Sequence, residues 1–390
     1  MHPFELDLLY LPTLLIFFAT SCVAIHITRS VVFSLSAAFV KAGIFLVYFG
    51  VLFDGTFTFL DDWSYLKGGI ELVDEGIGLS NLAENWDFLL MTGEGQHFLY
   101  YLYNAYALRF FGEYYFAPVA LNLVLAVLIA WTGSIVGARE FGFTGQWRKT
   151  FFIFLLFHPD ILAWSNVMNG KDTWVLLLHV LLLLSASLFF QGRRFHALTI
   201  AIPVVLILFF LRFYVPVLFA IALFAHQLLA ARMQQHLYWI LGGGAVLIVA
   251  IDSVVGHLVE AALIAFWQSM ENPVYGFVHF LLTPIPFNTD VHHTFLELPT
   301  MIHWILMPSI FYAVMVLLRG EMSSFTKFFL LYLGVFFLLY SFYVELQGPR
   351  QRMQLDFALA VLQFIGIKHF LIWLYPSRRA NMTNRLPGPA

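Results

Sequence analysis

The 390-residue chain is short of charge, holds a single cysteine and builds no basic face. Asp, Glu, Lys and Arg together make up 11% of it, less than half of the roughly 25% usual in soluble domains. A water-solvated fold of this length is thereby excluded. The lone cysteine, Cys22, rules out an internal disulfide and leaves the redox compartment open. Lys and Arg fall in ones and twos within a net charge of −3, so nucleic acid is not an expected partner. Short segments of alternating polarity, the mark of a membrane barrel, are also missing. The first residues lack the basic region and cleavage site of a secretory signal, and Glu5 and Asp7 precede the first apolar run, which reads as a permanent helix.

What is present is apolar: 61% hydrophobic residues, 18% aromatic residues and a mean hydropathy of +0.82. Uncharged runs of about 16 to 22 residues recur throughout, and in hydrocarbon such runs must be helices, because each backbone amide has to find its partner internally. Spans are expected at 8–28, 32–53, 114–138, 150–165, 172–191, 197–212, 214–231, 237–255, 301–319, 326–345 and 355–374. The expected fold is all-α, a polytopic transmembrane helical bundle of about 11 helices forming one domain over 1–390. A large acidic outer loop at 54–113 would carry juxtamembrane helices, and a second outer loop would cover 256–300.

Orientation follows from basic residues, which are retained on the cytoplasmic side. One set of alternate loops holds Arg29, Arg139, Arg148, Lys149, Arg193, Arg194, Arg232, Arg319, Lys327, Arg378, Arg379 and Arg385; the other holds only Lys67, Arg109, Lys171, Arg212, Arg350 and Arg352. The first set is expected inside, with the N-terminus outside and the C-terminus in the cytoplasm. On that assignment the aromatic stretch His97–Gly112 lies at the outer headgroup level instead of spanning.

Polar residues collect on the same expected outer side. The first outer loop contains FLDDWSYL, the next outer turn reads HPDILAWSNVMNGKD, and LRFY, the stretch ENPVYGFVHFLLTPIPFNTDVHH and GPRQR follow. Asp61 and Asp62 come just after an aromatic turn, where a carboxylate keeps enough basicity to accept a proton. Glu71, Asp74, Glu75 and Glu84 read as solvated. Lys171, Arg212, Arg350 and Arg352 are cations on the side that the charge bias disfavours. Arg offers a planar fork and Lys a point charge, both suited to phosphate oxygens. Asp172, Trp63, Tyr65 and His279 complete the expected substrate contacts. His158, His279, His292, His293 and His303 show no metal-ligand spacing, so no metal site is assigned; a divalent cation, if used, would suit Asp61, Asp62 or Asp172. Lys41, within the second span, has no nameable partner, and LGGGAV lacks the surroundings of a phosphate loop.

In their order, DDWSYL, the aromatic HFLYYLYNAYALRFFGEYY, the helix end VGAREFG and HPDILAWSNVMNGKD resemble the GT-C superfamily of polytopic glycosyltransferases, which includes protein O-mannosyltransferases and the aminoarabinose transferases of lipid A. The similarity covers the first half of the chain, and GPRQR resembles the late basic loop of such proteins. Two helices, not one, precede the acidic loop here. The resemblance implies transfer of a sugar from a polyprenyl-phosphate carrier to a lipid or glycan acceptor, at the outer face of a bacterial cytoplasmic membrane. Asp61 or Asp62 would be the base, with Lys171, Arg350 and Arg352 on the leaving phosphate and no cofactor beyond a possible divalent cation. An oligosaccharide-repeat polymerase and a lipid or polysaccharide transporter are the rival expectations.

Overall fold

The structure is a computed structural model that describes residues 3–57, 59–93, 97–229, 264, 272–289, 291–343 and 347–375. Among them no strand is formed, and nine helical stretches are long and apolar enough to cross a membrane. The chain is therefore a multi-pass, all-helical membrane protein. These stretches match the expected spans beginning at 8, 32, 114, 150, 172, 197, 301, 326 and 355. The expected span at 214–231 is present as a shorter apolar helix, Tyr214–Leu229. The expected span at 237–255, which contains LGGGAV, lies outside the described residues.

Helices α1 (Leu6–Thr28) and α2 (Val31–Val47) form a hairpin. Arg29 ends α1 in the left-handed conformation, φ 59°, and Ser30 starts α2 by accepting a hydrogen bond from the Phe33 amide. Helix α2 continues through a π turn at Tyr48–Leu52. The loop that follows builds three helices: α3 (Leu60–Asp74), α4 (Trp86–Thr92) and α5 (Phe98–Phe111). With 14 residues, α5 is about 21 Å long and too short for a hydrocarbon core of about 30 Å, in keeping with the reading of 97–112 as non-spanning. It packs on α3 through small residues: a Cβ on Gly69 would stand 2.7 Å from Asn104 Cβ. Arg109 of α5 donates to the Leu72 and Ile77 carbonyls, which puts a cation on the C-terminal end of α3.

The next spans are α6 (Phe116–Glu140), a pair of half-helices α7 (Gln146–Leu156) and α8 (Pro159–Val167), α9 (Asp172–Phe190) and α10 (Arg194–Arg212). Asn122, near the start of α6, donates to the Gly170 carbonyl just before α9, and Glu140, at the end of α6, accepts from Gln191 just after α9. Helices α6 and α9 therefore run parallel, and the α7–α8 segment between them must cross back. The sequence predicts this return as one unbroken helix, 150–165, and also groups HPDILAW with the next outer turn. The structure instead breaks it at Phe157–His158 and places HPDILAW within the crossing. The cause is Pro159: its ring disfavours the helical conformation at the preceding residue, and His158 is extended at ψ 125°.

The described chain divides into two compact units. The first comprises 1–213, 284–321 and 353–390, so it also holds the helices Glu297–Arg319 and Asp356–Leu374. The second comprises 214–283 and 322–352, with α11 (Tyr214–Leu229), α12 (Pro273–Leu282) and the later helix Ser324–Phe342. In chain order Glu297–Arg319 is α13, Ser324–Phe342 is α14, the short Pro349–Met353 is α15 and Asp356–Leu374 is α16. Within the first unit, a Cβ on Gly366 of α16 would overlap the Ser309 carbonyl oxygen of α13, so backbone touches backbone there. Such small-residue contacts are how helices associate where lipid supplies no hydrophobic drive.

Candidate functional site

The site in the first unit starts at the N-terminus of α3. Phe59 is extended and Asp61 and Asp62 occupy the first helical turn, where carboxylates meet the positive end of the helix dipole. Successive helical residues differ by about 100° in direction, and the pair divides accordingly. Asp61 is exposed, whereas Asp62 is 1% exposed. Asp62 Oδ1 accepts from the Phe59 and Trp63 amides at 3.0 and 2.9 Å, closing the helix start. Its Oδ2 accepts from the Tyr115 hydroxyl at 2.6 Å. Burial pushes the Asp62 carboxyl from its ordinary 3.8 up to about 6, with the Tyr115 hydroxyl and the amides pulling the other way. Burial also holds the Tyr115 phenol well above its ordinary range, so it remains a donor. Trp63 lies on Tyr115 with ring centroids 4.9 Å apart, and the buried Trp164 stacks on Phe59 at 6.2 Å. His293 and His292 approach the same Phe59 ring at 5.0 and 6.1 Å.

A buried polar network joins this turn to the segment Val167–Lys171, between α8 and α9. Asn169 Nδ2 donates to the Asp62 carbonyl at 3.0 Å and to Asn104 Oδ1 at 2.8 Å, and Asn169 Oδ1 accepts from Tyr100 at 3.0 Å. Asn122 Nδ2 reaches the Tyr100 hydroxyl and the Met168 and Gly170 carbonyls, while its Oδ1 accepts from Tyr103. Four elements, α3, α5, α6 and the turn before α9, are thus fixed by side-chain amides. Satisfied buried networks of this kind specify one arrangement. Tyr100, Asn104, Tyr115, Asn122 and Asn169 were not among the residues chosen from sequence. Uncharged amides and phenols raise no alarm in an apolar chain, although NGK before a span was a hint.

The cations follow that turn. Lys171 is buried with Nζ 5.6 Å from the centre of the Tyr65 ring, a cation–π contact. Asp172, the first residue of α9, accepts from Arg212 at the end of α10, at 2.9 Å. Each charge there suits the helix end it sits on. Asp61, Asp62, Trp63, Tyr65, Lys171, Asp172 and Arg212 thus belong to one unit. Arg350, Arg352 and His279 belong to the other. Arg352 is buried and its Nη1 donates to the Leu281 and Thr283 carbonyls; Arg350 is half-buried. His279 stacks on Tyr275 at 5.7 Å. Asp74, Glu75 and Glu84 are exposed and Glu71 is half-buried.

A second cluster lies at the break between α7 and α8. Ligand atoms of His158, Asp160 and Asp356 fall within 4.8 Å of one another, all three residues being buried. His158 Nε2 is 3.0 Å from Gln363 Oε1, and His303 Nδ1 is 3.9 Å from Asp160 Oδ2. Lys41, whose partner the sequence did not reveal, donates to the Leu156 carbonyl at 3.3 Å, two residues before His158. Where residues can hold a metal, this cluster has the mixed donor set, whereas the Asp62 and Asp172 carboxylates are committed to Tyr115 and Arg212.

Compared with known proteins, the chain matches no family model, no curated protein and no solved structure. The site is accordingly read from its own geometry.

The raised Asp62 carboxyl has a measurable consequence. Between 3.8 and about 6 the folded state holds a proton there that the unfolded chain has released, so stability falls as pH rises through that window. Thermal melts in detergent from pH 4 to 7 should show this loss in the wild type. They should not show it in Asp62→Asn, which keeps the neutral form at every pH; equal slopes in the two proteins would refute the assignment.

Proposed function

We propose that the protein is a GT-C-type membrane glycosyltransferase that moves a sugar from a polyprenyl-phosphate carrier to a lipid or glycan acceptor, at the outer face of a bacterial cytoplasmic membrane. The observation that carries this reading is the bond from Asn169 to the Asp62 carbonyl. It ties the acidic first turn of α3 to the turn that ends in Lys171 and Asp172, so a base and a cation are offered by one rigid frame.

Glycosyl transfer needs both. The acceptor oxygen attacks the anomeric carbon and loses its proton, while the bond from that carbon to the phosphate oxygen breaks and leaves its electron pair on the phosphate. Asp61, exposed on the first turn of α3, takes the acceptor proton. The Asp62 carboxyl is raised, but geometry comes before basicity: its oxygens are enclosed by Phe59, Trp63 and Tyr115. It is a positioning residue that fixes the direction of Asp61. Lys171, with Arg212 through its pair with Asp172, stands on the side of the departing phosphate. Trp63 is the aromatic surface for the sugar, since apolar rings with a wet edge suit that contact.

The test is direct. Purified protein in nanodiscs, supplied with radiolabelled sugar on polyprenyl phosphate and extracts of envelope acceptors, should yield labelled product, and no compartments exist there for transport to imitate chemistry. A donor that works only as a lipid pyrophosphate oligosaccharide would point to the polymerase. Absence of product from every carrier, with carrier movement in sealed vesicles, would replace the transferase by a transporter.

A further inference from the structure

We propose that His158, Asp160 and Asp356 form a binding site for a first-row divalent cation, zinc or manganese, inside the broken transmembrane helix, with His303 as the fourth side chain. The site shares no residue with those assigned to sugar transfer and goes beyond that reading.

The argument starts from cost. A crossing helix is interrupted only where protein or a cavity surrounds the freed backbone, and ionisable groups at that depth are expensive unless they pair or serve. Here the interruption at Phe157–His158 brings a histidine and an aspartate to the start of α8, and α16 adds an aspartate in its own first turn. Two carboxylates this close repel each other in a medium of low polarity, and a cation between them turns that repulsion into attraction. The spacing is within reach of one: metal–ligand bonds of about 2.0 to 2.2 Å put neighbouring tetrahedral ligands roughly 3.3 to 3.6 Å apart, and the three ligand atoms, within 4.8 Å of one another, need only small side-chain shifts to close on an ion.

The second, independent observation is the contact of His158 Nε2 with the Gln363 side-chain carbonyl at 3.0 Å. An N–H donated there fixes the tautomer with its lone pair on Nδ1. Ligating histidines are held in this way, their second nitrogen donating to a carbonyl or carboxylate. The donor set selects the ion. Imidazole suits zinc and its neighbours, and carboxylate suits harder cations, so a set of both fits zinc or manganese better than magnesium or calcium. The cradle is also built to stay in place. Gly366, three residues beyond Gln363, lets α16 touch the backbone of α13, the helix that carries His303.

The experiment uses the full chain in detergent, stripped with a chelator and titrated with manganese, whose free form is followed by electron paramagnetic resonance, and then with zinc in competition. One ion per chain is expected, with a metal-dependent rise in melting temperature. Asp160→Asn, Asp356→Asn and His158→Gln should each weaken binding at least about tenfold, while Asp61→Asn leaves it unchanged. Gln363→Leu touches no ion and should still weaken binding by about 10- to 100-fold, so it carries the test if an Asp variant does not fold. No saturable binding by the wild type, or binding unaltered in Gln363→Leu and Asp356→Asn, would overturn the site and leave the two carboxylates as a proton-sharing pair.

Discussion

Asp61→Asn is expected to lower sugar transfer by about a hundredfold to ten-thousandfold, the usual cost of removing a general base, while the protein keeps its wild-type melting temperature. The side chain is exposed on the first turn of α3, and it is the Asp62 carboxylate that accepts from the Phe59 and Trp63 amides there. Asp62→Asn should behave differently. Its Oδ2 bond to Tyr115 and its Oδ1 bonds to two amides join α3 to the start of α6, so this variant should change pH-dependent stability and lose rate through misplacement of Asp61. Glu75→Gln, on an exposed carboxylate beyond the helix end, serves as the control and should be silent. Turnover at matched protein levels decides: full activity in Asp61→Asn removes it as the base, and loss in Asp62→Asn alone transfers the role to the buried carboxylate.

That two adjacent aspartates have opposite fates explains how far the sequence could be read. Apolar length is a property of each segment by itself, and the nine described spans were therefore visible before any contact was known. The acidic turn was visible too, because carboxylates are rare in such a chain. Which of the pair turns inward depends on Tyr115, 53 residues away, whose hydroxyl has no counterpart in a local pattern. The same holds for Asn169, whose side chain bonds to α3 and α5. Of His158, Asp160 and Asp356 only His158 is weighed as a ligand from sequence, because metal-ligand spacings along one helix cannot reveal a set assembled from α8 and α16. Pro159 was the local clue. It breaks the crossing and turns what read as an outer-turn motif into a buried one. Arg350 and Arg352 read as phosphate ligands by charge alone. The carbonyl partners of Arg352 show a side chain that also fastens its own unit.

Lys171→Gln should reduce turnover by about a hundredfold to a thousandfold, the range seen when a donor to a developing oxyanion is removed, with a smaller rise in the KM for the carrier. The reasoning is that phosphate charge grows as the sugar–oxygen bond breaks, so a cation beside it acts more on the transition state than on the bound substrate. Lys171→Arg keeps the charge but exchanges a compact ammonium for a planar fork beneath Tyr65, and only partial activity is expected. Arg212 needs a paired design. Arg212→Gln alone removes the cation paired with the buried Asp172 carboxylate, which is destabilising whatever Arg212 does in catalysis. Combining it with Asp172→Asn removes both charges. A double variant that melts like the wild type and still turns over slowly assigns Arg212 to the phosphate; one that recovers both shows that the pair only joins α9 to α10. For Lys171, full turnover in the Gln variant would end its role, and equal losses in turnover and carrier affinity would mark it as a binding contact with no preference for the transition state.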